Sequence, residues 1–157
     1  KQVPSSFASA ACIEGSAKLD DGRVINYSRS CSCSNNPCSY CWDVVDQNQF
    51  PWGKGNRNNP LVPLRSLAVD TRVIANGTII YLQEFDGVDI PQVGDLGGFK
   101  HDGCFRADDV GGAIIGDHFD VFSGTEEMHQ ALEGIFPTRT RLTTWVHADR
   151  HCDHLKE

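Results

Sequence analysis

The chain has 157 residues, 39% of them hydrophobic, enough for one core and a single domain of ordinary size. With 14 basic against 21 acidic residues the net charge is −7 and no basic stripe stands out, which argues against nucleic acid or an anionic membrane as the main partner. No apolar run reaches the ~18 residues of a membrane span, and 15 Gly and 7 Pro scattered without a period exclude collagen and coiled coil.

Residues 1–22 are rich in Ser and Ala, show little periodicity and are expected to wrap the surface. Residues 23–27 read as a short strand, with Val24 and Ile25 turned to a core. From Cys31 to Asn59 the chain is turn-rich (Asn35-Asn36-Pro37, Gly53-Lys54-Gly55-Asn56), yet it carries Tyr40, Trp42, Phe50 and Trp52. Two strand-like runs, 66–74 and 78–84, are split by Ala75-Asn76-Gly77, a tight turn signal. A Gly-rich loop covers 86–98, and runs 104–108 and 118–122 flank Gly111-Gly112-Ala113-Ile114. A helix is predicted over 124–134. Ser123 as N-cap and Glu126 three residues on make a capping box, while Met128, Leu132 and Ile135 recur at helical spacing toward the core. Gly134 and Pro137 end the helix, and 138–146 is a closing strand. Many short strands with one helix predict a mainly β chain forming a small closed or half-closed barrel. No repeat or second domain shows, so 1–157 reads as one domain.

Seven cysteines, four of them within Cys31-Ser32-Cys33 and Cys38-Ser39-Tyr40-Cys41, are dense for a reducing cytosol. The expectation is a secreted protein, its signal peptide already removed, with disulfides drawn from Cys12, Cys31, Cys33, Cys38, Cys41 and Cys104. Seven is odd, and Cys152 is expected to be the unpaired thiol. The C-x-C-x4-C-x2-C spacing also admits a four-thiolate zinc site, which ranks below disulfides in a secreted chain. His147, His151 and His154 form a candidate metal site, against the plainer reading of a solvated tail.

The densest chemistry lies in residues 106–122. Asp120 stands between Phe119 and Val121, which on a strand point to the opposite face. Gly111 and Gly112 let the backbone turn tightly or approach a ligand. Asp109 and Asp120, held on neighbouring strands beside that turn, suit glycoside cleavage: one protonates the leaving oxygen and the other assists by charge. The plainer role for both is to satisfy turn amides.

Asp109-Val110-Gly111-Gly112-Ala113-Ile114, Gly116 and His118-Phe119-Asp120 closely resemble the signature of the membrane-bound lytic transglycosylase A family and the related three-aspartate, or 3D, domains. The run from Leu67 to Thr78 is similar to the same domains and supplies Asp70 as the first aspartate. His118-Phe119-Asp120 also resembles the acid-bearing motif of family 45 endoglucanases, and the front from Cys31 to Trp42 is loosely similar to theirs. The chain looks most like the catalytic domain of secreted fungal muramidases of glycoside hydrolase family 184. The resemblance is specific over residues 66–123. Ile115 stands where the transglycosylase and 3D motifs carry lysine, and no aspartate of the front aligns with the endoglucanase base.

The resemblance implies a six-stranded double-psi β-barrel with one or two short helices and disulfide-stapled loops. It implies a secreted, monomeric muramidase that cleaves the β-1,4 strands of bacterial peptidoglycan without a cofactor. Asp120 would be the general acid, its pKa raised by hydrophobic neighbours. Asp109 would orient or support it, and Asp70 would be a further site carboxylate or, slightly favoured, a barrel-fixing residue. Gly111, Gly112 and His118 would meet sugar. Tyr27, Tyr40, Trp42 and Trp52 would stack on it or, equally, cover the disulfide knot. A carboxylate base ~6.5–9.5 Å from the acid gives water attack and inversion; attack by the sugar's own hydroxyl gives an anhydro end, the lytic transglycosylase outcome. The reading from another class is a non-catalytic, expansin-like wall-binding or wall-loosening module, because fold does not decide function. A secreted inhibitor or effector on a disulfide scaffold would leave the Asp-rich motif without a purpose.

Overall fold

In the computed structural model, which describes residues 3–32, 37–146 and 151–156, the chain is mainly β with two short α-helices and three disulfides. It divides into two compact units, Lys1–Lys54 and Gly55–Glu157.

The first unit carries α1 (Ser5–Glu14), β1 (Ser16–Lys18), β2 (Val24–Ser30) and β3 (Tyr40–Val44), the strands forming one antiparallel sheet in chain order. The helix departs from the expectation of a surface wrap. Six of its ten residues are Ser or Ala and no apolar stripe runs along it, so periodicity gives no sign of it, whereas alanine's backbone preference sustains it. Gly15, at φ 72°, ends it by donating its N–H to the Ala11 carbonyl. The small core of Val24, Val45 and Phe50 is supplemented by the Cys12–Cys38 and Cys31–Cys41 bridges, the usual remedy where little apolar surface can be buried. Cys33 lies outside the described residues.

The second unit contains β4 (Ser66–Val69), β5 (Ile79–Leu82), β6 (Asp89–Ile90), β7 (Phe99–Lys100), β8 (Cys104–Asp109), β9 (Phe119–Val121), α2 (Glu126–Glu133) and β10 (Thr144–Val146). Five strands make a curled half-barrel sheet in the order β10-β5-β8-β4-β9, while β6 and β7 pair separately within and after the expected glycine loop. The turn at 75–77 forms, Thr78 N–H reaching the Ala75 carbonyl at 3.1 Å, but β8 lies between the strands it joins. The expected strand over 66–74 stops at Val69, because Val73 and Ile74 both donate N–H to the Asp70 carbonyl and turn the chain.

Leu67, Val69, Ile80, Leu82, Phe105 and Ala107 alternate inward to the main core, where they meet Phe85, Met128 and Leu132. His101, 1% exposed, stacks on Phe105 in that core. Its Nδ1 accepts the Gly103 N–H, so Nε2 carries the proton and donates to the Leu64 carbonyl at 2.8 Å. Burial pushes its pKa down and keeps the ring neutral.

Two local expectations are corrected. The N-cap of α2 is Thr125, whose Oγ1 accepts the Met128 N–H at 3.2 Å, and Ser123 instead donates to the Thr125 carbonyl. Ile135 lies beyond the helix end and is 36% exposed, so Met128 and Leu132 alone carry the buried stripe. Cys152 is not free: it pairs with Cys104, both fully buried, and holds the 3-10 turn Asp153–Leu155 against the outer face of the sheet.

Two measurements test this packing. Leu132→Ala should lower stability by ~2–5 kcal/mol in chemical denaturation, as a buried large-to-small change; a loss of the few tenths typical of a surface site would place the residue outside the core. Three bridges engage six of the seven cysteines, so denatured, unreduced protein should titrate no more than one thiol.

Candidate active site

β4 presents Leu67 and Val69 to the core, which leaves Ser66 and Ala68 on the other face of the sheet. Ala68 is in register with Asp109 of β8 on one side and with Asp120 of β9 on the other. Both carboxylates therefore rise on the outer face, separated by a methyl group. Two strand spacings put their backbones roughly 9–10 Å apart. Asp120 is exposed and Asp109 half-buried. Phe119 and Val121 pack against the core, so they leave the Asp120 carboxylate in water rather than walling it with apolar surface as expected.

Asp109 reaches this position through a β-bulge. Leu67 is opposite Ala107, but Ala68 is opposite Asp109, and Asp108 is the extra residue between them. Asp108 is 1% exposed; Ser66 Oγ donates to its Oδ2 and Arg106 Nε to its Oδ1, both at 2.6 Å. Burial pushes its pKa up, against the pull of Arg106 and Ser66. Ser66 Oγ in turn accepts the Val62 N–H at 3.0 Å. A Cβ on Gly55 would stand 2.3 Å from the Asp108 carbonyl oxygen, so only glycine lets that segment lie over the bulge. Sequence reasoning missed Asp108, Ser66 and Arg106; the doubled Asp108-Asp109 was the one available sign.

Asp70, just past β4, is also buried but differently partnered. It accepts hydrogen bonds from the Arg72 N–H (3.0 Å), Arg72 Nε (2.9 Å) and Nη2 (2.6 Å), and from the Gly116 N–H at 2.9 Å. The Arg72 guanidinium and these amides hold its carboxyl well below the usual carboxylate range. Gly116 adopts φ 71° to aim its N–H there. Asp70 thus ties the end of β4 to the loop that precedes β9. Within that loop the Ile114 N–H donates to the Gly111 carbonyl at 3.0 Å, Gly112 is exposed, and His118 is exposed immediately before β9.

Residues 65–146 match the sequence signature of the 3D domain, just over half the chain and all three aspartates. The chain belongs to the 3D-domain family. Among solved structures, the lytic transglycosylase MltA of Escherichia coli is 20% identical over 78% of this chain and 49% of its own, with a TM-score of 0.44. The lytic transglycosylase LtgG of Burkholderia pseudomallei is 19% identical over 87% of this chain and 51% of its own, with a TM-score of 0.46. The chain thus spans about half the length of these proteins. No curated protein matches it in sequence.

In this 3D-domain protein the expected aromatics belong to the first unit and the carboxylates to the second. Tyr27 of β2 is the cross-strand partner of Trp42 of β3, and Tyr40 meets both rings edge-on, at centroid distances of 4.8 and 6.4 Å. Trp52 is half-buried. The C-terminal histidines turn to Asp102: His151 Nε2 lies 3.2 Å from its carbonyl oxygen and His154 Nε2 3.2 Å from its Oδ2. Asp102, Cys104 and His154 are close enough to share an ion, but Cys104 Sγ is oxidised in the bridge to Cys152 and offers no thiolate. His147 lies outside the described residues.

A carboxylate held below its unfolded pKa stabilises the fold above that pKa, and the contribution fades as pH falls toward the folded value. Asp70→Asn should therefore lower Tm at neutral pH, and the gap to wild type should narrow as pH drops below ~4. A gap that stays constant through acid would remove ionised Asp70 from the stability of the fold.

Proposed function

We propose that this domain cleaves the β-1,4 glycan strands of bacterial peptidoglycan as a muramidase, with Asp120 as general acid. The observation that carries the reading is the row Asp109–Ala68–Asp120, two carboxylates on one open sheet face with a methyl between them. A polymeric sugar needs such an open face. In its protonated form Asp120 would donate to the glycosidic oxygen, and Asp109 would stabilise the positive charge that grows on the sugar or orient water against it. Neither step calls on a cofactor.

Asp70 anchors the loop rather than donating a proton, since its partners hold it as an anion. Gly111, Gly112 and His118, exposed or half-buried in the loop that precedes β9, are proposed sugar contacts of the second unit; Tyr27, Trp42 and Trp52 are proposed as sugar-stacking rings of the first. The motif likeness to secreted fungal muramidases of family 184 points the same way, and three disulfides suit an extracellular location. A parallel β4–β8 pair set among antiparallel neighbours supports reading the curled sheet as part of a double-psi barrel.

Asp120→Asn should cut release of glycan fragments from purified peptidoglycan by ~10²–10⁴-fold while Tm hardly moves, because the side chain is exposed. Asp109→Asn should cost less. The masses of the released ends separate the outcomes: reducing ends mean hydrolysis and anhydro ends mean transglycosylation. A folded Asp120→Asn protein at near wild-type rate would remove Asp120 from the mechanism. Pelleting with cell walls without any cleavage would make the domain a wall-binding module.

A further inference from the structure

We propose that Asp108, locked by Ser66 and Arg106, is a positioning residue that pins the β-bulge and thereby turns the Asp109 carboxylate toward Asp120. Its link to catalysis rests on the cleavage reading above; the placement of Asp109 does not. In a regular ladder the step after Leu67–Ala107 would pair Ala68 with Asp108, and alternation would send Asp109 to the core face beside Leu67 and Val69. The extra residue shifts the frame by one and brings Asp109 onto the outer face, in line with Asp120.

A bulge leaves its inserted residue outside the ladder, and here that residue is a carboxylate buried to 1% exposure. Such a group is tolerated inside only with strong partners. Both partners come from the second row before the bulge, where Ser66 and Arg106 are paired across β4 and β8. Their side chains converge on the two oxygens of Asp108, one each, and Gly55 closes the backbone from above. The three residues form a clamp across β4 and β8 at the bulge. A ladder without the bulge would send Asp109 toward the core.

Asp108→Asn keeps the shape of the side chain and removes the charge that holds Arg106; Ser66→Ala removes a single donor and remains available if the first variant fails to fold. With folding verified by Tm, both variants should lose about 10- to 100-fold in kcat on peptidoglycan, the loss expected when a reacting group is misplaced. KM and pelleting with cell walls should hold. A purely structural role would lower Tm and leave kcat of the folded protein untouched. The side-chain carboxyl carbon of Asp109, titrated by NMR in wild type and Ser66→Ala, reads the placement without turnover. A displaced titration curve supports the clamp. An unchanged curve in folded Ser66→Ala overturns it, whether or not the wild type cleaves peptidoglycan. If the wild type cleaves nothing and the curve still moves, the cleavage reading falls and the clamp stands.

Discussion

The carboxylate pair depends on one constraint: β4, four residues long, must keep Leu67 and Val69 inward while pairing with β8 on one side and β9 on the other. Burial of a Leu or Val side chain contributes ~1.5–3 kcal/mol, more than the ~0.5–1.5 kcal/mol net of one ladder hydrogen bond. The apolar side chains therefore decide which face Ala68 takes, and the hydrogen bonds decide what stands beside it. Ala68 places only a methyl group between Asp109 and Asp120 in that row. A bulky residue there would keep the register and put a larger side chain between them.

Three aspartates close together in this fold have three different chemistries, and their partners set the difference. Asp70 is ringed by a guanidinium and backbone amides and is held as an anion. Asp108 is buried, which favours its neutral form, while Arg106 and Ser66 favour the charged one. Asp120 stands in water on the outer face. Of the three, only Asp120 combines exposure with register, through Ala68, to a second carboxylate.

What could be read from the sequence is what local pattern encodes. The alternation about Asp120 in β9, the Met128–Leu132 stripe and the turn at 75–77 each rest on neighbours within a few residues, and each reappears. The aspartate and glycine motif lies within the stretch that matches the 3D domain. What escaped depends on distant partners or lacks periodicity. α1 has no apolar stripe; β3 is a strand because β2 offers it a ladder; the Cys104–Cys152 bridge joins residues 48 apart. The bulge at Asp108 is the clearest case. Within β8 the doubled Asp108-Asp109 is the one hint, since the shift itself exists only relative to β4, and its clamp reaches to Ser66, 42 residues away.

The position of β9 has a consequence for when the carboxylate pair exists at all. Among the described residues it is an edge strand of three residues whose partner is β4, with no buried side chain of its own. Short edge strands open locally at far lower free energy than the core around them. Fraying of β9 carries Asp120 away from Asp109 while β4, β5 and β8 remain folded. Amide hydrogens of β9 would then exchange with solvent long before those of Leu67 or Ile80, and the lifetime of the assembled pair is set by that opening, well below the temperature at which the molecule as a whole unfolds.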